Sequence, residues 1–466
     1  MKVQIILLHL AAYVAVSVCN RVYVHPFNLF NFNKTECEKA EKLNHTIEKL
    51  FIPISIDSKI KSEDELVKEK TSFDVKQLGI TGNYMLNSLT YLMNDFGFRA
   101  LNALMKMSKD DTFLLSYTNL YATMISFYLG ASGDTSDDLQ TILGFLHSSG
   151  RADCASKVNG LKVLSTLRNI DNLLFSKGAN IDALTIACIF VAPDVPLSEM
   201  FVQNLLPSAD ELYVRSVDFT NSIKTAELIN DFLESRTSKK NLNVLKSTDE
   251  SANLLYTSYI HFTGKINNSF LFPEPQDFWI EPNRKILVPM LSVSGMFQYK
   301  TDDTMNQTVL KLPISENDFL LLVQPTNGNT LKNIESSISW DTFQKWLNNL
   351  SNRKIDLSLP KLEIESSYDI QEILAKLGVP SLLGNTANFR KISNVDIQVG
   401  QIINKVNFEL ESIALDTSEV KSHLSDKDDI EPLEVKYNEP FLLAVFEGTT
   451  KAFIFIGRIT NPVNAL

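Results

Sequence analysis

The 466-residue sequence lacks the short motifs on which many enzymes depend. It contains no Gly-x-Ser-x-Gly turn for a nucleophilic serine, no His-Glu-x-x-His zinc motif and no phosphate-binding glycine loop. Histidine is scarce, and the spacing of the six histidines suits no metal site. These histidines are His9, His25, His45, His147, His261 and His423. We therefore predict no catalytic residue, no metal site and no cofactor, and we do not expect an enzyme.

Basic residues are also fewer than acidic residues. The chain has 44 Lys and Arg residues against 55 Asp and Glu residues, which gives a formal net charge of −11. No basic stripe follows a face or a segment, so nucleic acid is excluded as a partner. With 44% hydrophobic and 21% charged residues, the composition is that of a folded chain. The length fits one large domain with an appendage.

Long apolar runs are absent after the N-terminus. Met1 and Lys2 form a short positive start, Val3 to Val18 are almost entirely apolar, and polar sequence follows Cys19. This order is typical of a secretory signal peptide over residues 1–19. A membrane anchor is the alternative, but the run is shorter than the ~20 residues that span a bilayer. We expect a protein that is secreted into the extracellular fluid (plasma) and has no membrane partner.

Cysteine is rare as well, and its number is informative. Loss of Cys19 with the signal peptide leaves Cys37, Cys154 and Cys188. In an oxidising compartment an odd number implies one disulfide and one free thiol. Cys188 lies in the apolar run Leu184–Val191, which predicts a buried strand where a free Cys behaves as a small hydrophobe. Cys37 and Cys154 lie in polar surroundings, so we predict a Cys37–Cys154 disulfide that tethers the N-terminal arm to the body.

Acceptor sequences for N-glycosylation agree with secretion. They occur at Asn33, Asn44, Asn267, Asn306 and Asn349. Each is a weak signal alone, because the pattern is common by chance. Asn33 and Asn44 lie in the polar arm, where exposure and modification are expected.

The composition and the hydrophobic periodicity of the chain change near residue 83. Residues 20 to about 82 form a polar arm rich in Lys and Glu, with a helical period over Cys37–Leu50. The body begins with a strongly periodic helix over Met85–Met105, and Tyr117–Leu129 predicts a second helix. Cap residues from Asp134 predict a short helix that ends near Leu146.

Strand character dominates the second half of the body. The predicted strands are Leu254–Phe262, Ile286–Val293, Thr308–Leu312, Phe319–Gln324, Asp356–Ile364, Ile402–Leu410, Phe441–Phe446 and Ala452–Ile459. Helices mainly precede strands, which predicts an α+β fold and not a βαβ repeat.

Several segments, in this order, resemble the serpin family. They are Phe96-Gly-Phe-Arg99 at the expected start of the first large helix, Leu115–Thr123, Val217–Ser222, Leu359–Glu365, Asn438–Phe446 and Phe455–Pro462. The ordered set covers roughly residues 85–463. The resemblance implies a serpin fold with three β-sheets, eight to nine helices, an exposed reactive loop and an N-terminal extension. Two departures, Tyr117 after Ser116 and the family's Trp replaced around Ile266, place the chain away from inhibitory serpins.

The reactive-loop region also departs from the inhibitory pattern. Inhibitory serpins insert a hinge of small residues into the main sheet, whereas the stretch Glu411–Pro432 is rich in charge. One face of an inserted strand would carry Leu415, Thr417, Glu419 and Lys421, and the other Asp416, Ser418, Val420 and Ser422. Either face buries a charge, at a cost of several kcal/mol if it is unpaired. We therefore expect a non-inhibitory serpin; the alternative is an inhibitor of a serine protease.

Behind the signal peptide, the segment Asn20-Arg-Val-Tyr-Val-His-Pro-Phe-Asn-Leu29 resembles the angiotensin family of peptide hormones. The Asn at its first position and the Val at its fifth are similar to fish forms. The resemblance implies cleavage by the aspartic protease renin at Leu29–Phe30, and then removal of Asn28–Leu29 by angiotensin-converting enzyme at the Phe27–Asn28 bond. Renin would supply both catalytic Asp residues. Pro26 disfavours helix at the preceding residue, so we expect an extended segment that fits the protease cleft.

The implied product, Asn20–Phe27, would act on the angiotensin receptor, a G-protein-coupled receptor, to raise blood pressure and control salt and fluid balance. By the family pattern the receptor recognises Arg21, Tyr23, His25 and Phe27. Cys37 and Cys154 also fall where the family has its arm-to-body disulfide. The expected organisation is a signal peptide (1–19), a hormone segment (20–29), an arm (30–82) and a serpin domain (83–466).

Overall fold

The computed structural model describes residues 25–38, 49–57, 66–67, 79–108, 111–145, 154–175, 180–237, 239, 242–348, 350–380, 382–384, 386–413 and 431–463. The predicted signal peptide, the first five residues of the hormone segment, Asn44, Asn349 and the reactive-loop residues 414–430 lie outside these ranges. Predictions about them therefore stay predictions.

The helices of the described ranges are α1 (Pro26–Phe30), α2 (Ile80–Met107), α3 (Tyr117–Gly130), α4 (Gly133–Ile142), α5 (Gly160–Phe175), α6 (Glu199–Asn204), α7 (Ser222–Arg236), α8 (Leu331–Ser336), α9 (Trp340–Leu347) and α10 (Ile370–Lys376). Residues 34–38 are also helical. The predicted helices over Met85–Met105 and Tyr117–Leu129 are confirmed as parts of α2 and α3. Helix α4 ends at Ile142, before the predicted Leu146.

The strands are β1 (Leu50–Phe51), β2 (Leu66–Val67), β3 (Phe113–Ser116), β4 (Ile181–Val191), β5 (Leu197–Ser198), β6 (Glu211–Ser216), β7 (Leu254–Asn267), β8 (Ser269–Leu271), β9 (Gln276–Glu281), β10 (Arg284–Val288), β11 (Met290–Asp302), β12 (Gln307–Pro313), β13 (Phe319–Pro325), β14 (Ser351–Pro360), β15 (Glu363–Asp369), β16 (Val399–Ile413), β17 (Leu433–Lys436), β18 (Phe441–Glu447) and β19 (Ala452–Ile459). Each predicted strand overlaps one or two of them. The α+β prediction is confirmed.

The described strands form two large sheets and two two-stranded sheets, one of which joins β1 to β5. The main sheet has the order β15-β16-β7-β4-β6-β2, a nine-stranded sheet runs β17-β14-β11-β12-β13-β18-β19-β3 with β8 on β11, and β9 pairs with β10. In the main sheet, β16 lies parallel to β7 and pairs with it from Val399–Leu254 to Ile413–Asn267. No other strand lies between β7 and β16, so the main sheet has no gap along the length of this pair.

Some strands in the core of the body are buried at every position and do not alternate between buried and exposed residues. Every residue of β18 and β19 is buried, because helices and the other sheet cover both faces of this hairpin. Gly457 in β19 allows close approach to β3, since a Cβ atom there would lie 1.9 Å from the Phe113 carbonyl oxygen. The hairpin is therefore fixed against β3 by backbone contact.

The Phe96–Arg99 motif was expected at the start of the first large helix, and that placement is wrong. Helix α2 begins at Ile80, and the motif lies in its middle. Gly97 accommodates the ring of Tyr117, because a Cβ at Gly97 would come within 2.2 Å of that ring. The glycine of the motif and the unusual Tyr117 therefore form one contact between α2 and α3.

The described parts of the arm pair with the body at several points. Strand β1 pairs with β5, the Ile56 N–H donates to the Ser216 carbonyl oxygen at 2.9 Å, and β2 pairs with β6 at the edge of the main sheet. The predicted helical period over Cys37–Leu50 is wrong at its end, because Leu50 lies in β1. Pairing with the body decides the conformation there over the local pattern.

Candidate functional site

The bond predicted for renin cleavage lies within helix α1, and the prediction of an extended segment is wrong for residues 26–30. Pro26 occupies the first position of the helix, where its missing N–H costs nothing. The residue before proline does avoid the helical region: His25 has φ −59° and ψ 135°. The restriction acts on His25 alone and leaves the residues after Pro26 free to form a helical turn.

Hydrogen bonds cap both ends of α1. At the N-terminus, the Phe27 N–H donates to Nδ1 of His25 at 3.2 Å, so His25 is the N-cap. At the C-terminus, the Asn31 N–H donates to the Phe27 carbonyl oxygen at 2.8 Å. The helix has only five residues, and such a short helix is unstable in isolation. Contacts with the body therefore hold it in place.

Two aromatic side chains of α1 enter the core of the body. Phe27 is 2% exposed and Phe30 is fully buried. Phe30 makes an edge-to-face contact with Phe145, with ring centroids 5.6 Å apart. Burial of one such side chain stabilises the docked arm by ~2 kcal/mol. Asn28 faces solvent, and Leu29 is half-buried.

The chain after α1 pairs with the segment that leads into α5. The Asn159 N–H donates to the Phe30 carbonyl oxygen at 2.8 Å, and the Phe32 N–H donates to the Lys157 carbonyl oxygen at 3.2 Å. Between them, Val158 is fixed from the other side by Tyr128. The Tyr128 hydroxyl donates to the Val158 carbonyl oxygen at 2.8 Å and accepts from the Val158 N–H at 3.0 Å.

The carbonyl of the predicted scissile bond has its own partner. Nζ of Lys162, in the first turn of α5, donates to the Leu29 carbonyl oxygen at 2.6 Å. The same turn is capped by Asn159, whose Oδ1 accepts from the Lys162 N–H at 3.2 Å. The carbonyl oxygen of the Leu29–Phe30 peptide bond and the carbonyl oxygen of Phe30 are therefore both held by residues at the start of α5.

The predicted Cys37–Cys154 disulfide is present and closes the site, with Cα atoms 5.7 Å apart. Residues 34–38 reach it as a helical turn with a reciprocal cap. The Glu36 N–H donates to Oδ1 of Asn33 at 2.9 Å, and the Asn33 N–H donates to Oε2 of Glu36 at 2.9 Å. Cys188 is free and buried in β4, and burial raises the pKa of its thiol to about 12. The prediction of a free cysteine in a buried strand is confirmed.

The structure gathers some of the sequence-predicted residues and leaves others apart. His25, Phe27, Asn28, Leu29 and Phe30 lie together in or beside α1, whereas Arg21 and Tyr23 lie outside the described residues. Among the predicted glycosylation sites that are described, Asn33 and Asn267 are exposed and Asn306 is half-buried.

Sequence reasoning missed the residues of the body that hold α1. They are Tyr128, Phe145, Asn159 and Lys162. A partial signal existed, because a disulfide at Cys154 brings the next few residues of the chain beside the arm. Nothing in the sequence indicated that the lysine eight positions further on would contact the Leu29 carbonyl.

The described ranges contain neither a metal-binding cluster nor a membrane-spanning helix. In that part of the chain, no group of three or more His, Cys, Asp or Glu side chains is arranged to bind a metal ion. No helix there is long and apolar enough to cross a bilayer.

Comparison with known proteins gives the family. The profile of Serpin (serine protease inhibitor) matches residues 91–462. Angiotensinogen of Bos taurus is 34% identical over 469 residues, which cover 98% of this chain and 98% of that protein. Angiotensinogen of Homo sapiens is 33% identical over 468 residues, 98% of this chain and 97% of that protein. Human thyroxine-binding globulin, a solved structure, superposes with a TM-score of 0.69 at 21% identity, covers 81% of this chain and 99% of that one, and shows the fold alone. The chain belongs to the angiotensinogen branch of the serpin family.

Proposed function

We propose that this protein is the secreted precursor of an angiotensin-type peptide hormone. A renin-type aspartic protease cleaves the Leu29–Phe30 bond and releases the decapeptide Asn20–Leu29. A zinc dipeptidase of the angiotensin-converting type then removes Asn28 and Leu29. The octapeptide Asn20–Phe27 acts on a G-protein-coupled receptor to raise blood pressure and control salt and fluid balance. The protein itself is a substrate and not an enzyme.

One observation carries this proposal. A hormone-like segment stands directly before a Leu-Phe bond that the serpin body holds in a defined contact, through Lys162 at the Leu29 carbonyl and the core at Phe30. Large apolar side chains on both sides of a bond suit an aspartic protease. The full-length relatives named angiotensinogen support the same role.

The conformation of α1 adds a requirement to this function. An aspartic protease binds its substrate as an extended strand, and five extended residues span about 17 Å, whereas five helical residues span about 7.5 Å. Cleavage therefore requires α1 to unwind and Phe30 to leave the core. The serpin body acts as a scaffold that controls the release of the peptide.

The later steps also depend on release. Phe27 is 2% exposed in the precursor, so neither the dipeptidase nor the receptor has access to it there. After release, Pro26 slows removal of a further dipeptide, because it lacks the N–H that an enzyme would use. Receptor recognition by Arg21, Tyr23, His25 and the Phe27 carboxylate is thus a property of the free peptide.

The direct test is digestion of the intact, glycosylated protein with renin, followed by mass spectrometry. We expect one early product with the mass of Asn20–Leu29 and a body that stays intact. A synthetic peptide over residues 20–33 serves as the control for recognition of the sequence itself. An uncut N-terminus in both substrates would refute the precursor function.

The Cys37–Cys154 bond is proposed to control access to the scissile bond. It lies next to the pairing of Phe30 and Phe32 with the segment 157–159, so its loss changes how the arm leaves the body. We expect the oxidised and reduced proteins to differ in the rate of renin cleavage. A Cys37→Ser, Cys154→Ser variant separates this effect from reductant chemistry. Equal rates of renin cleavage for all three forms would contradict this proposal.

Inhibition of proteases is tested by a separate experiment. We propose that the body does not trap proteases, because the charged stretch after Glu411 offers no small-residue hinge to insert between β7 and β16. Incubation with a panel of serine proteases is expected to give no SDS-stable complex. A stable complex, with a large rise in melting temperature after loop cleavage, would contradict this proposal.

A further inference from the structure

We propose that Lys162 is a positioning residue that holds the Leu29–Phe30 peptide bond in its docked position and thereby limits the rate at which the bond is cleaved. The inference rests on the proposed function, since it concerns the same bond. It adds a residue of the body, 133 positions away in sequence, that acts on the carbonyl group at which cleavage takes place.

The contact is specific to that carbonyl. Nζ of Lys162 lies 2.6 Å from the Leu29 carbonyl oxygen, and the Lys162 side chain is half-buried at the junction of α5 and α1. A hydrogen bond from a charged donor is shorter and stronger than a neutral one. The carbonyl carbon of Leu29 is the atom that a protease-bound water must attack, so the carbonyl must leave Lys162 before cleavage.

The end of a helix explains why a cation is effective at this place. The last carbonyl groups of a helix have no partner inside it. In α1, the Phe27 carbonyl accepts from the Asn31 N–H and the Phe30 carbonyl accepts from the Asn159 N–H. The Leu29 carbonyl accepts from Nζ of Lys162. Lys162 thus provides the donor at the carbonyl that matters for cleavage.

Lys162 is also held in position by its own helix. Asn159 caps the first turn of α5 through the Lys162 N–H, and its backbone N–H binds the Phe30 carbonyl oxygen. The two contacts on α1 therefore form or break together with the first turn of α5. If the protease binds only the open arm, the Michaelis constant is divided by the open fraction and kcat is unchanged.

The test compares three variants of the full-length, oxidised protein. Lys162→Met keeps the aliphatic stem and removes the ammonium, Lys162→Arg keeps a cationic donor, and Lys224→Met is the matched control. Lys224 is exposed and is the third residue of α7, as Lys162 is the third residue of α5. Melting temperatures measured by circular dichroism check that each variant folds.

We expect Lys162→Met to lower KM for renin about fivefold with kcat unchanged, which corresponds to ~1 kcal/mol at 25 °C. The effect is smaller than for a fully buried charged hydrogen bond because Lys162 is half-exposed. Lys162→Arg should stay within a factor of about two of the parent protein, and Lys224→Met should not differ from it. A synthetic peptide over residues 20–33 gives the KM of the unmasked segment.

Hydrogen exchange of residues 25–33 provides a second readout that needs no protease. We expect faster exchange in Lys162→Met and unchanged exchange in Lys224→Met. Unchanged exchange and an unchanged KM in Lys162→Met would overturn the role of Lys162, while release of Asn20–Leu29 would leave the precursor function intact. Failure of renin to cut the synthetic peptide refutes the precursor function instead, and the exchange data still decide whether Lys162 holds the arm.

Discussion

The hydroxyl of Tyr128 tests how the body holds the arm. Tyr128 lies in α3, is buried, and contacts Val158 on the side opposite to the arm. Burial raises the pKa of its phenol well above the usual value, so the hydroxyl stays protonated at all physiological pH values. A Tyr128→Phe change removes one oxygen atom and leaves the shape of the side chain.

The magnitude follows from the hydrogen bonds of the hydroxyl, which are the two with Val158 and a longer one to Oε1 of Gln140 at 3.2 Å. The Val158 N–H keeps Oε1 of Gln140 as a partner at 3.0 Å, whereas the Val158 carbonyl oxygen loses the donor at 2.8 Å. A buried carbonyl without a partner costs about 1–3 kcal/mol, and we take ~2 kcal/mol. For a domain of this size, ~2 kcal/mol lowers Tm by about 2–3 °C.

The assay combines thermal unfolding with hydrogen exchange of the arm. We expect exchange of the Phe32 amide, which donates to the Lys157 carbonyl oxygen, to rise by up to about 30-fold if the full ~2 kcal/mol appears in local opening. The matched control is Tyr437→Phe. The Tyr437 hydroxyl is also buried and donates to a backbone carbonyl, that of Leu322 at 3.2 Å, far from the arm in sequence.

The result that refutes the reasoning is specific. If Tyr128→Phe and Tyr437→Phe lower Tm alike and neither changes exchange of residues 30–33, then Val158 does not transmit stability to the arm. The docking would in that case depend on the side chains of Phe27 and Phe30 alone.

Three other perturbations have clear expected outcomes. Burial raises the folded-state pKa of Asp171 to about 7, above its unfolded value of ~3.9, so the folded state loses stability as pH rises from about 4 to about 7. Tm measured from pH 4.5 to 8 should therefore fall less in Asp171→Asn than in the parent, and parallel curves would contradict this. Gly457→Ala should lower Tm by several degrees, because its Cβ meets the Phe113 carbonyl oxygen, whereas Gly79→Ala, with open space around it, should not. Loss of the Cys37–Cys154 bond, which joins residues 117 positions apart, should lower Tm as well, and an unchanged unfolding curve would show that the arm pairings suffice.

The fold was largely predictable where the local pattern and the burial agree. The continuous apolar runs of β18 and β19 predict strands buried on both faces, and the period of α2 predicts a helix with one buried face. The disulfide followed from an odd cysteine number and the apolar surroundings of Cys188. For the strands and the helix, a few neighbouring residues carry the whole signal.

The conformation of the hormone segment was not predictable in the same way. Pro26 correctly restricts His25, but its effect ends there, and a five-residue helix has no stability of its own. Phe27 and Phe30 turn toward the core only because α2, α5 and Phe145 form a cavity for them. That cavity is built from residues more than fifty positions away in the chain.

The sequence by itself determined the family and the disulfide, and it predicts Leu29–Phe30 as the cleavage site from its chemical pattern. Only the tertiary structure decided that this bond lies in a docked helix, with the Leu29 carbonyl held by Lys162 and Phe30 buried in the core. The physical reason is that peptide chemistry is local in sequence, whereas access to a peptide bond depends on what packs against it.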